Sequence, residues 1–324
     1  MPDLRLFALG SSRPQAQAIA DALGISLGAH EEREFEDGEH KARPLEGVRG
    51  ADVVVVHSLY GEPGKSANDK LCTLLFFLAT LRDHGADRVT AVAPYLCYAR
   101  KDRRTKPHDP VVTRYVAQLF EASGVDRVLT LDVHNPAAFE NAFRCQAEQL
   151  QAAPLFAAHL APSLGDRDVI VLSPDAGGLK RADAFRNALV LALDRPVGMG
   201  MMEKYRSAGV VSGETLFADV AGRCVVIVDD MIGTGTTLLR AARAARAAGA
   251  TSVIAVASHG LFVGTAAETL TDPALERIVV SDSVPPFRLR GSAAAAKVEV
   301  LASAPLFAAA IRGQQGTGAV DIAR

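Results

Sequence analysis

The sequence predicts an α/β fold of two similar domains, each a mostly parallel sheet flanked by helices. Short apolar runs such as 53–56 and 225–228 have the length and β-branched composition of strands that are buried on both faces. Helical patterns with apolar residues three or four positions apart, such as 68–84, follow such runs. The helix–turn–strand plan at 85–94 recurs at 249–258, which indicates that the two halves are duplicates.

The other elements follow from the same periodicities and from the positions of Gly and Pro. Strands are predicted at 4–9, 51–58, 126–131, 168–172, 196–202, 215–218 and 278–281, and helices at 14–23, 68–84, 111–123, 155–161, 238–248 and 304–311. The pattern resets around 151–154. We therefore expect an N-terminal domain of 1–152 and a C-terminal domain of 153–303. Helix 304–311 is expected to rejoin the first domain, and 313–324 to form a flexible tail.

Composition and charge exclude several classes of protein. With 324 residues, of which 49% are hydrophobic and 22% charged, the chain has the balance of a soluble globular protein of one or two domains. A net charge of -2 provides no basic field for nucleic acid or an anionic membrane. The apolar run 74–79 is far too short to cross a bilayer. No basic leader is visible and the four cysteines lack metal-site spacing, so we expect buried free thiols and a cytoplasmic location.

The stretch 225–237 carries the strongest functional signal. A buried strand runs into Asp229 and Asp230, and Gly-Thr-Gly-Thr-Thr at 233–237 then leads into a helix. Backbone N–H groups and hydroxyls at a helix N-terminus favour a phosphate, whereas the two carboxylates suit sugar hydroxyls or a cation. A single Asp would be expected only to cap the helix, but the pair with this loop favours a sugar phosphate. Because no Gly-Lys-Ser/Thr follows the strand, the stretch is not a Walker loop.

This stretch resembles the phosphoribosyl-diphosphate binding motif of the type I phosphoribosyltransferase superfamily. The resemblance implies that both domains are phosphoribosyltransferase-like. It also implies that the acid pair holds the ribose hydroxyls and that the loop holds the 5-phosphate. The ribose 5-phosphate site would then comprise Asp229, Asp230, Thr234, Gly235, Thr236 and Thr237.

Other segments occur in the order found in ribose-phosphate diphosphokinases (phosphoribosyl-diphosphate synthetases). They are Phe-Glu-Asp-Gly-Glu at 35–39, Pro-Tyr-Leu-Cys-Tyr-Ala-Arg-Lys-Asp-Arg at 94–103, Asp-Val-His at 132–134, Ser-Pro-Asp-Ala-Gly-Gly at 173–178 and Glu-Lys-Tyr-Arg at 203–206. Each segment by itself has an ordinary structural interpretation. In the same order, these are a hairpin turn, a solvated basic turn, a structural histidine, a Gly-rich connection and a solvated loop edge. Taken together, they make the chain similar to this family from Leu4 to Ile311.

The resemblance implies an ATP site built from two of these segments. Phe35 would stack on adenine, and Asp37 and Glu39 would contact its polar edge and neighbouring groups. Arg100 and Asp102 would contact the nucleotide. In the family the first of these segments reaches the site of a neighbouring subunit. A homo-oligomer, with each ATP site completed by a neighbour, is therefore expected.

The resemblance also implies the catalytic and metal-binding residues. His134 would lie beside the Mg²⁺–ATP phosphates, as a catalytic residue and a metal ligand, and Asp175 would assist the metal. Lys204 and Arg206 are expected on a flexible loop that closes over the triphosphate and neutralises the charge of the transition state.

The implied activity is Mg²⁺-dependent transfer of diphosphate from ATP to the 1-hydroxyl of ribose 5-phosphate, which gives phosphoribosyl diphosphate and AMP. However, Gly233 stands where the synthetases usually carry Asp, and Thr236 where they carry Gly, as in the transferase version of the motif. A phosphoribosyltransferase is therefore one alternative. A catalytically silent homologue that binds and regulates a true synthetase is another. The segment 105–110 also departs from the common form, which leaves regulation by ADP and phosphate open.

Overall fold

The computed structural model describes residues 3–207 and 210–313, except for the side chains of 204–214. The tail predicted at 313–324 lies outside the described residues apart from Gly313. Within the described ranges, every helix is too short or too polar to cross a bilayer.

The chain divides into two compact units, Met1–Leu150 with Ser303–Arg324 and Gln151–Ala302. The first unit contains, in order, β1 (Leu4–Ala8), α1 (Arg13–Leu23), β2 (His30–Glu34), β3 (His40–Pro44), β4 (Asp52–Val56), α2 (Ala67–Asp83), β5 (Arg88–Ala93), α3 (Val112–Ala122), β6 (Arg127–Leu131), α4 (Pro136–Ala142) and β7 (Gln146–Leu150). Its sheet has the order β1-β4-β5-β6-β7 with all neighbours parallel. The strands β2 and β3 form a separate antiparallel hairpin.

The sheet of the first unit forms because its strands are rich in β-branched and other apolar residues. Every residue of β4 and of β6 is buried, as expected for strands that helices cover on both faces. A capping box starts α2: Ser66 Oγ accepts from the Asp69 N–H at 3.2 Å, and Asp69 Oδ2 accepts from the Ser66 N–H at 2.7 Å. Because the strands are parallel, the loops that follow β1, β4, β5 and β6 lie together at the carboxyl edge of the sheet.

The second unit is also an α/β unit. It contains α5 (Ala153–Leu164), β8 (Val169–Ser173), α6 (Leu179–Leu193), β9 (Gly198–Ser207), β10 (Val210–Phe217), β11 (Cys224–Ile232), α7 (Thr236–Ala247), β12 (Ser252–Gly260), α8 (Ala266–Thr269), β13 (Arg277–Ser281) and β14 (Val298–Leu301). Its sheet has the order β10-β9-β8-β11-β12-β13-β14. Only the β9–β10 pair of this described sheet is antiparallel. The predicted α/β fold class, with mostly parallel sheets flanked by helices, is confirmed.

Several details of the prediction were wrong. Most of 203–213, predicted as a loop, belongs to the antiparallel strands β9 and β10, because cross-strand pairing overrides a local pattern of charged residues and Gly. Strand 278–281 is not the last one, since the short β14 pairs beside it. All four cysteines are free, as expected, but only Cys97 and Cys224 are buried. Cys72 is exposed because it lies on the outer side of α2.

The C-terminal helix α9 (Ala304–Gly313) packs against α1 of the first unit. Just before this helix, Gln15 Nε2 donates to Ser303 Oγ at 3.0 Å. Arg127 Nη1 donates to the Ala310 carbonyl at 3.4 Å. The side chains of Phe307 and Ile311 are fully buried. Their burial attaches the last described helix to the first unit.

Candidate functional site

The acid pair of the second unit lies within β11 rather than beyond it, because the strand continues to Ile232. The Asp230 N–H donates to Asp229 Oδ1 at 2.9 Å. The side chain of Asp229 is 22% exposed, whereas that of Asp230 is only 4% exposed. Asp229 is therefore the carboxylate that a ligand can reach directly, and Asp230 is almost completely covered.

Arg181, near the start of α6, contacts both acids. Its Nη1 lies 3.6 Å from Asp229 Oδ1 and 3.6 Å from Asp230 Oδ1. Its own side chain is 20% exposed. Arg181 was not among the predicted site residues, although it follows the Gly177–Gly178 turn by less than one helical turn. A cation at that position in the sequence was the available signal.

The carboxyl group of Asp229 has an unusual affinity for its proton. Burial, followed by the negative charge and the side-chain hydrogen bond of Asp230, raises the pKa of Asp229 to about 7, whereas the Arg181 guanidinium and the backbone N–H of Asp230 partly oppose this. The two carboxyl groups are adjacent, so the negative charge of Asp230 opposes ionisation of Asp229. A raised pKa of this kind is typical of functional sites in clefts.

The loop after β11 presents hydroxyls and backbone amides together. Thr234 and Thr236 are exposed, and their Oγ1 atoms lie 2.9 Å apart. Helix α7 has Gly235 at its N-cap, with no capping side chain among the described residues, and its first turn contains no acidic residue. The N–H groups of this turn are therefore available to an external anion, which the helix dipole also favours.

The shape of this loop depends on Gly235 and on a second loop beside it. Gly235 has φ +79°, and a Cβ atom there would lie 2.7 Å from Leu270 Cδ2. The Phe262 N–H donates to the Ile232 carbonyl at 2.9 Å, and the Val263 N–H donates to the Gly233 carbonyl at 3.0 Å. The 262–263 segment therefore fixes the backbone of the loop before α7 begins.

Asp175 caps a short turn at the carboxyl end of β8. Its Oδ1 accepts from the Gly178 N–H at 3.2 Å, and its carbonyl accepts from Ser173 Oγ at 2.6 Å. The turn Ala176–Gly178 packs against β11. Because β8 and β11 are parallel neighbours, Asp175, the acid pair and the loop before α7 gather at one edge of the sheet of the second unit.

In the first unit, Asn135 links two segments that are predicted to bind the nucleotide, the one with Asp102 and the one with His134. Asn135 Nδ2 donates to Asp102 Oδ2 at 2.7 Å. The adjacent His134 is exposed in the loop after β6, and Arg100 is exposed in the loop after β5. The carboxyl edge of this sheet thus brings Asp102 and the His134 segment together.

The β2–β3 hairpin carries the predicted adenine-binding residues at its tip. The Phe35 N–H donates to the Glu39 carbonyl at 2.8 Å, and Asp37 Oδ1 accepts from the Glu39 N–H at 3.1 Å. Asp37 and Glu39 are exposed, and Phe35 is half-buried. The guanidinium of Arg33 lies 4.8 Å from the centre of the Phe35 ring, so one face of this ring is covered within the hairpin.

The predicted transfer residues are on a β-strand. Lys204 and Arg206 belong to β9, and their backbones pair with Glu214 and Val211 of β10. Their side chains lie outside the described residues.

Comparison with known proteins identifies the relatives of this chain. The N-terminal domain of ribose phosphate pyrophosphokinase matches residues 4–124, and the phosphoribosyl synthetase-associated domain matches residues 202–317. A ribose-phosphate pyrophosphokinase from Vibrio parahaemolyticus is 38% identical over 314 residues, which cover 96% of each chain. The chain belongs to the ribose-phosphate pyrophosphokinase family.

Further relatives support this family membership. A ribose-phosphate pyrophosphokinase from Haemophilus influenzae is 37% identical, again over 96% of each chain. The crystal structure of phosphoribosylpyrophosphate synthetase from Mycobacterium smegmatis has a TM-score of 0.88 with 29% identity, over 98% of this chain and all of that one. The family resemblance of the sequence motifs is thus confirmed, and the chain is an enzyme of the ribose-phosphate pyrophosphokinase type.

Proposed function

We propose that this pyrophosphokinase transfers the diphosphate group of ATP to the 1-hydroxyl of ribose 5-phosphate, giving phosphoribosyl diphosphate and AMP. The observation that carries the proposal is the uncapped N-terminus of α7 in the same segment as the acid pair. The exposed hydroxyls and amides of 234–237 suit the 5-phosphate. The carboxylate of Asp229 suits the ribose hydroxyls, and Asp230 and Arg181 hold it in place.

In this transfer, the 1-oxygen of the ribose forms a bond to the β-phosphorus of ATP. The bond from that phosphorus to the oxygen that bridges it to the α-phosphate breaks, and AMP leaves with this oxygen. The proton of the 1-hydroxyl is released to solvent. Positioning and electrostatic stabilisation can supply most of the catalysis in such a reaction. We assign Lys204, Arg206 and Arg100 to the neutralisation of phosphate charge, and His134 to the ATP phosphates.

We assign the adenine to the tip of the β2–β3 hairpin. Phe35 would stack on the base with the ring face opposite Arg33, and Asp37 and Glu39 would contact its polar edge. Because the tip is exposed, it is able to contribute to the ATP site of another subunit, and we therefore propose a homo-oligomer. We also propose a cytoplasmic location. Asp102 would orient the loop after β5, which contacts the nucleotide in this proposal, through its bond to Asn135.

The residues present fit a requirement for Mg²⁺. Among the side chains that the structure describes, no three His, Cys, Asp or Glu form a cluster that could hold a metal ion. Enzymes of phosphate transfer commonly bind Mg²⁺ through one or two carboxylates, substrate phosphates and water, so a dedicated protein cage is not needed. Asp175 and His134 are the residues assigned to hold it. When bound, the ion would neutralise charge on the transferred group.

Incubation of the purified protein with ATP, Mg²⁺ and ribose 5-phosphate tests the proposal. We expect AMP and phosphoribosyl diphosphate to form in equal amounts, and only when the sugar phosphate is present. A phosphoribosyltransferase would instead consume phosphoribosyl diphosphate with a free base. A silent regulatory homologue would bind nucleotide without turnover. Either result would overturn the proposal.

A variant at the first residue of α7 locates the ribose 5-phosphate site. Thr236→Val removes one exposed hydroxyl at nearly constant volume, and we expect the KM for ribose 5-phosphate to rise about tenfold, the effect of losing a hydrogen bond to a charged group. The KM for ATP should stay unchanged. Thr271→Val, also on the surface of the second unit, is the matched control, because its hydroxyl donates only to the Glu268 carbonyl.

A further inference from the structure

The basic loop, residues 100–109, lies between β5 and α3 and contains Arg100, Lys101, Arg103, Arg104 and Lys106. Five cations within seven positions repel one another, which favours an open loop. In the structure the loop is closed instead. The Asp109 N–H donates to the Lys106 carbonyl at 3.2 Å, and Arg104 Nε donates to the Asp109 carbonyl at 3.2 Å.

A single oxygen atom of Asp109 organises this closed loop. Its Oδ2 accepts from Lys101 Nζ at 2.8 Å, from Thr105 Oγ1 at 2.7 Å, and from the N–H groups of Thr105 and Lys106 at 3.1 Å each. The hydrogen bond from Lys101 is the largest of the effects that lower the pKa of Asp109. Two backbone N–H groups, a hydroxyl and an ammonium that converge on one oxygen form the kind of concave site that binds free oxyanions.

The backbone around the loop needs such support. Tyr98 (φ +62°) and His108 (φ +67°) both adopt the left-handed conformation, which is unfavourable for side chains other than Gly. The Thr113 N–H donates to the Lys101 carbonyl at 3.3 Å, and Thr113 Oγ1 donates to the Tyr98 carbonyl at 3.1 Å. The contacts of Thr113 fix the start of the loop, and those of Asp109 fix its middle and end.

The closed loop leaves two guanidinium groups available. Arg100 and Arg103 are exposed, and neither forms an ion pair or a side-chain hydrogen bond with another described residue. Arginines that are presented on a fixed backbone can bind phosphate oxygens with little further loss of entropy.

We propose that Asp109 is a positioning residue whose carboxylate takes the place of a bound oxyanion and holds the basic loop ready for the phosphates of ATP. A consequence is that removal of this carboxylate creates a site for a free small anion. The part of the proposal that concerns ATP rests on the proposed function. The part that concerns the loop and the anion does not.

The kinetic test compares the wild-type enzyme with Asp109→Ala, with and without sodium formate. We expect the KM for ATP to rise about tenfold in the variant because the arginines lose their fixed positions, while the KM for ribose 5-phosphate stays unchanged. Formate should restore the KM for ATP in the variant and leave the wild-type enzyme unaffected. Sodium chloride at equal ionic strength should not restore it. An unchanged KM for ATP, or a raised KM that formate does not lower, would overturn the proposal.

Two further variants keep the test independent of misfolding. Asp109→Asn retains the shape and one acceptor oxygen but not the charge, so its KM for ATP should lie between those of the wild type and of Asp109→Ala. Asp83→Ala removes an exposed carboxylate at the end of α2 and is the matched control, which should show neither the kinetic defect nor the rescue. A KM for ATP equal to that of the wild type in Asp109→Asn would contradict the charge-based role.

Amide hydrogen exchange tests the loop without any assay of activity. In Asp109→Ala the N–H groups of Thr105 and Lys106 lose their acceptor, so a peptide spanning the basic loop should exchange faster than in the wild type. Formate should slow this exchange again. Exchange that is the same in both proteins would refute the role of Asp109 in the loop. If hydrogen exchange rises in Asp109→Ala and formate slows it again, but no AMP forms in the wild type, the proposed function fails and the anion site stands.

Discussion

Asn135 Nδ2 donates to Asp102 Oδ2 at 2.7 Å, and this bond joins the loop after β5 to the start of α4. The Oδ1 atom of the same Asn135 accepts from the Ala138 N–H at 3.2 Å and caps α4. One amide side chain therefore stabilises α4 locally and also holds the loop after β5 through a long-range hydrogen bond. These two roles can be separated by mutation.

Asn135→Ala should affect both stability and ATP binding, whereas Asn135→Ser should affect ATP binding alone. Loss of the cap in the Ala variant costs about 1 kcal/mol, and Ser restores it because Ser is an equally good N-cap. Neither replacement reaches Asp102, so the KM for ATP should rise about tenfold in both, the effect of losing one hydrogen bond to a charged group. Urea unfolding and initial rates measure the two quantities. Equal KM values in Asn135→Ser and the wild type would show that the bond to Asp102 has no functional role.

Asp229→Asn should make the protein more stable at pH 8 than the wild type, with a smaller gain at pH 5. The pKa of Asp229 is raised from 3.8 to about 7 in the folded protein, chiefly by burial and by Asp230. The folded state therefore keeps a proton that the unfolded state releases, and stability falls as the pH rises from about 4 to about 7. Above pH 7 the charged form is present in both states and its burial cost is complete. The neutral amide avoids this cost, and we expect a gain of about 1–3 kcal/mol at pH 8. Thermal unfolding at both pH values checks the sign. A larger gain at pH 5 would contradict the assignment.

Arg181→Gln should move the pH dependence of ribose 5-phosphate use towards higher pH. The guanidinium lowers the pKa of Asp229 in opposition to burial, so its removal lets this pKa rise further above 7. If the ionised Asp229 accepts the ribose hydroxyls, the rise of kcat/KM with pH should shift upward by about one pH unit. Lys180→Gln, a neighbouring exposed cation of α6, is the control and should leave the profile unchanged. A fall in activity without a shift in the profile would indicate a purely structural role for Arg181.

Gly235→Ala should disrupt the loop before α7, whereas Gly233→Ala should be tolerated. At Gly235 the φ of +79° and the contact with Leu270 both oppose a side chain, and together they cost about 1–3 kcal/mol or more. At Gly233 the nearest atom to a new Cβ would be Val263 Cγ2 at 4.0 Å, and the φ is not positive. Gly233→Asp, which introduces the residue usual in the synthetases, should therefore also fold. Thermal unfolding and the KM for ribose 5-phosphate distinguish the variants. Equal effects at the two positions would argue against this account of the loop.

Lys204→Ala should lower kcat by about 10²–10³-fold, the effect of losing one charge that stabilises a transition state. The midpoint of thermal unfolding should change little, because the backbone pairing of β9 with β10 does not depend on this side chain. Lys204→Arg keeps the charge and should recover part of the activity. Near-normal turnover in the Ala variant would exclude Lys204 from the transfer step.

The sequence was sufficient for the fold class and the family because both depend on local signals. Runs of Val and Ile favour strands that are covered on both faces, and residues such as Asp229 that end such a run lie near the carboxyl edge of a parallel sheet. The local sequence of 233–237 is likewise sufficient to predict an anion site, since a Gly-rich turn before a helix presents backbone N–H groups wherever it occurs.

Contacts between distant segments decided the rest. The addition of β14, the contact of Arg181 with both acids and the bond from Asn135 to Asp102 join residues that are far apart in the chain. The pairing of β9 with β10 joins neighbouring segments, but it is a cross-strand contact that the charged residues and Gly of 203–213 do not signal. Their energies come from burial and from the meeting of charges in a medium of low dielectric constant, which no single segment contains. The sequence alone therefore determined which residues lie at the edges of the sheets, and only the tertiary structure decided which of them are covered, contact the same guanidinium or share a hydrogen bond.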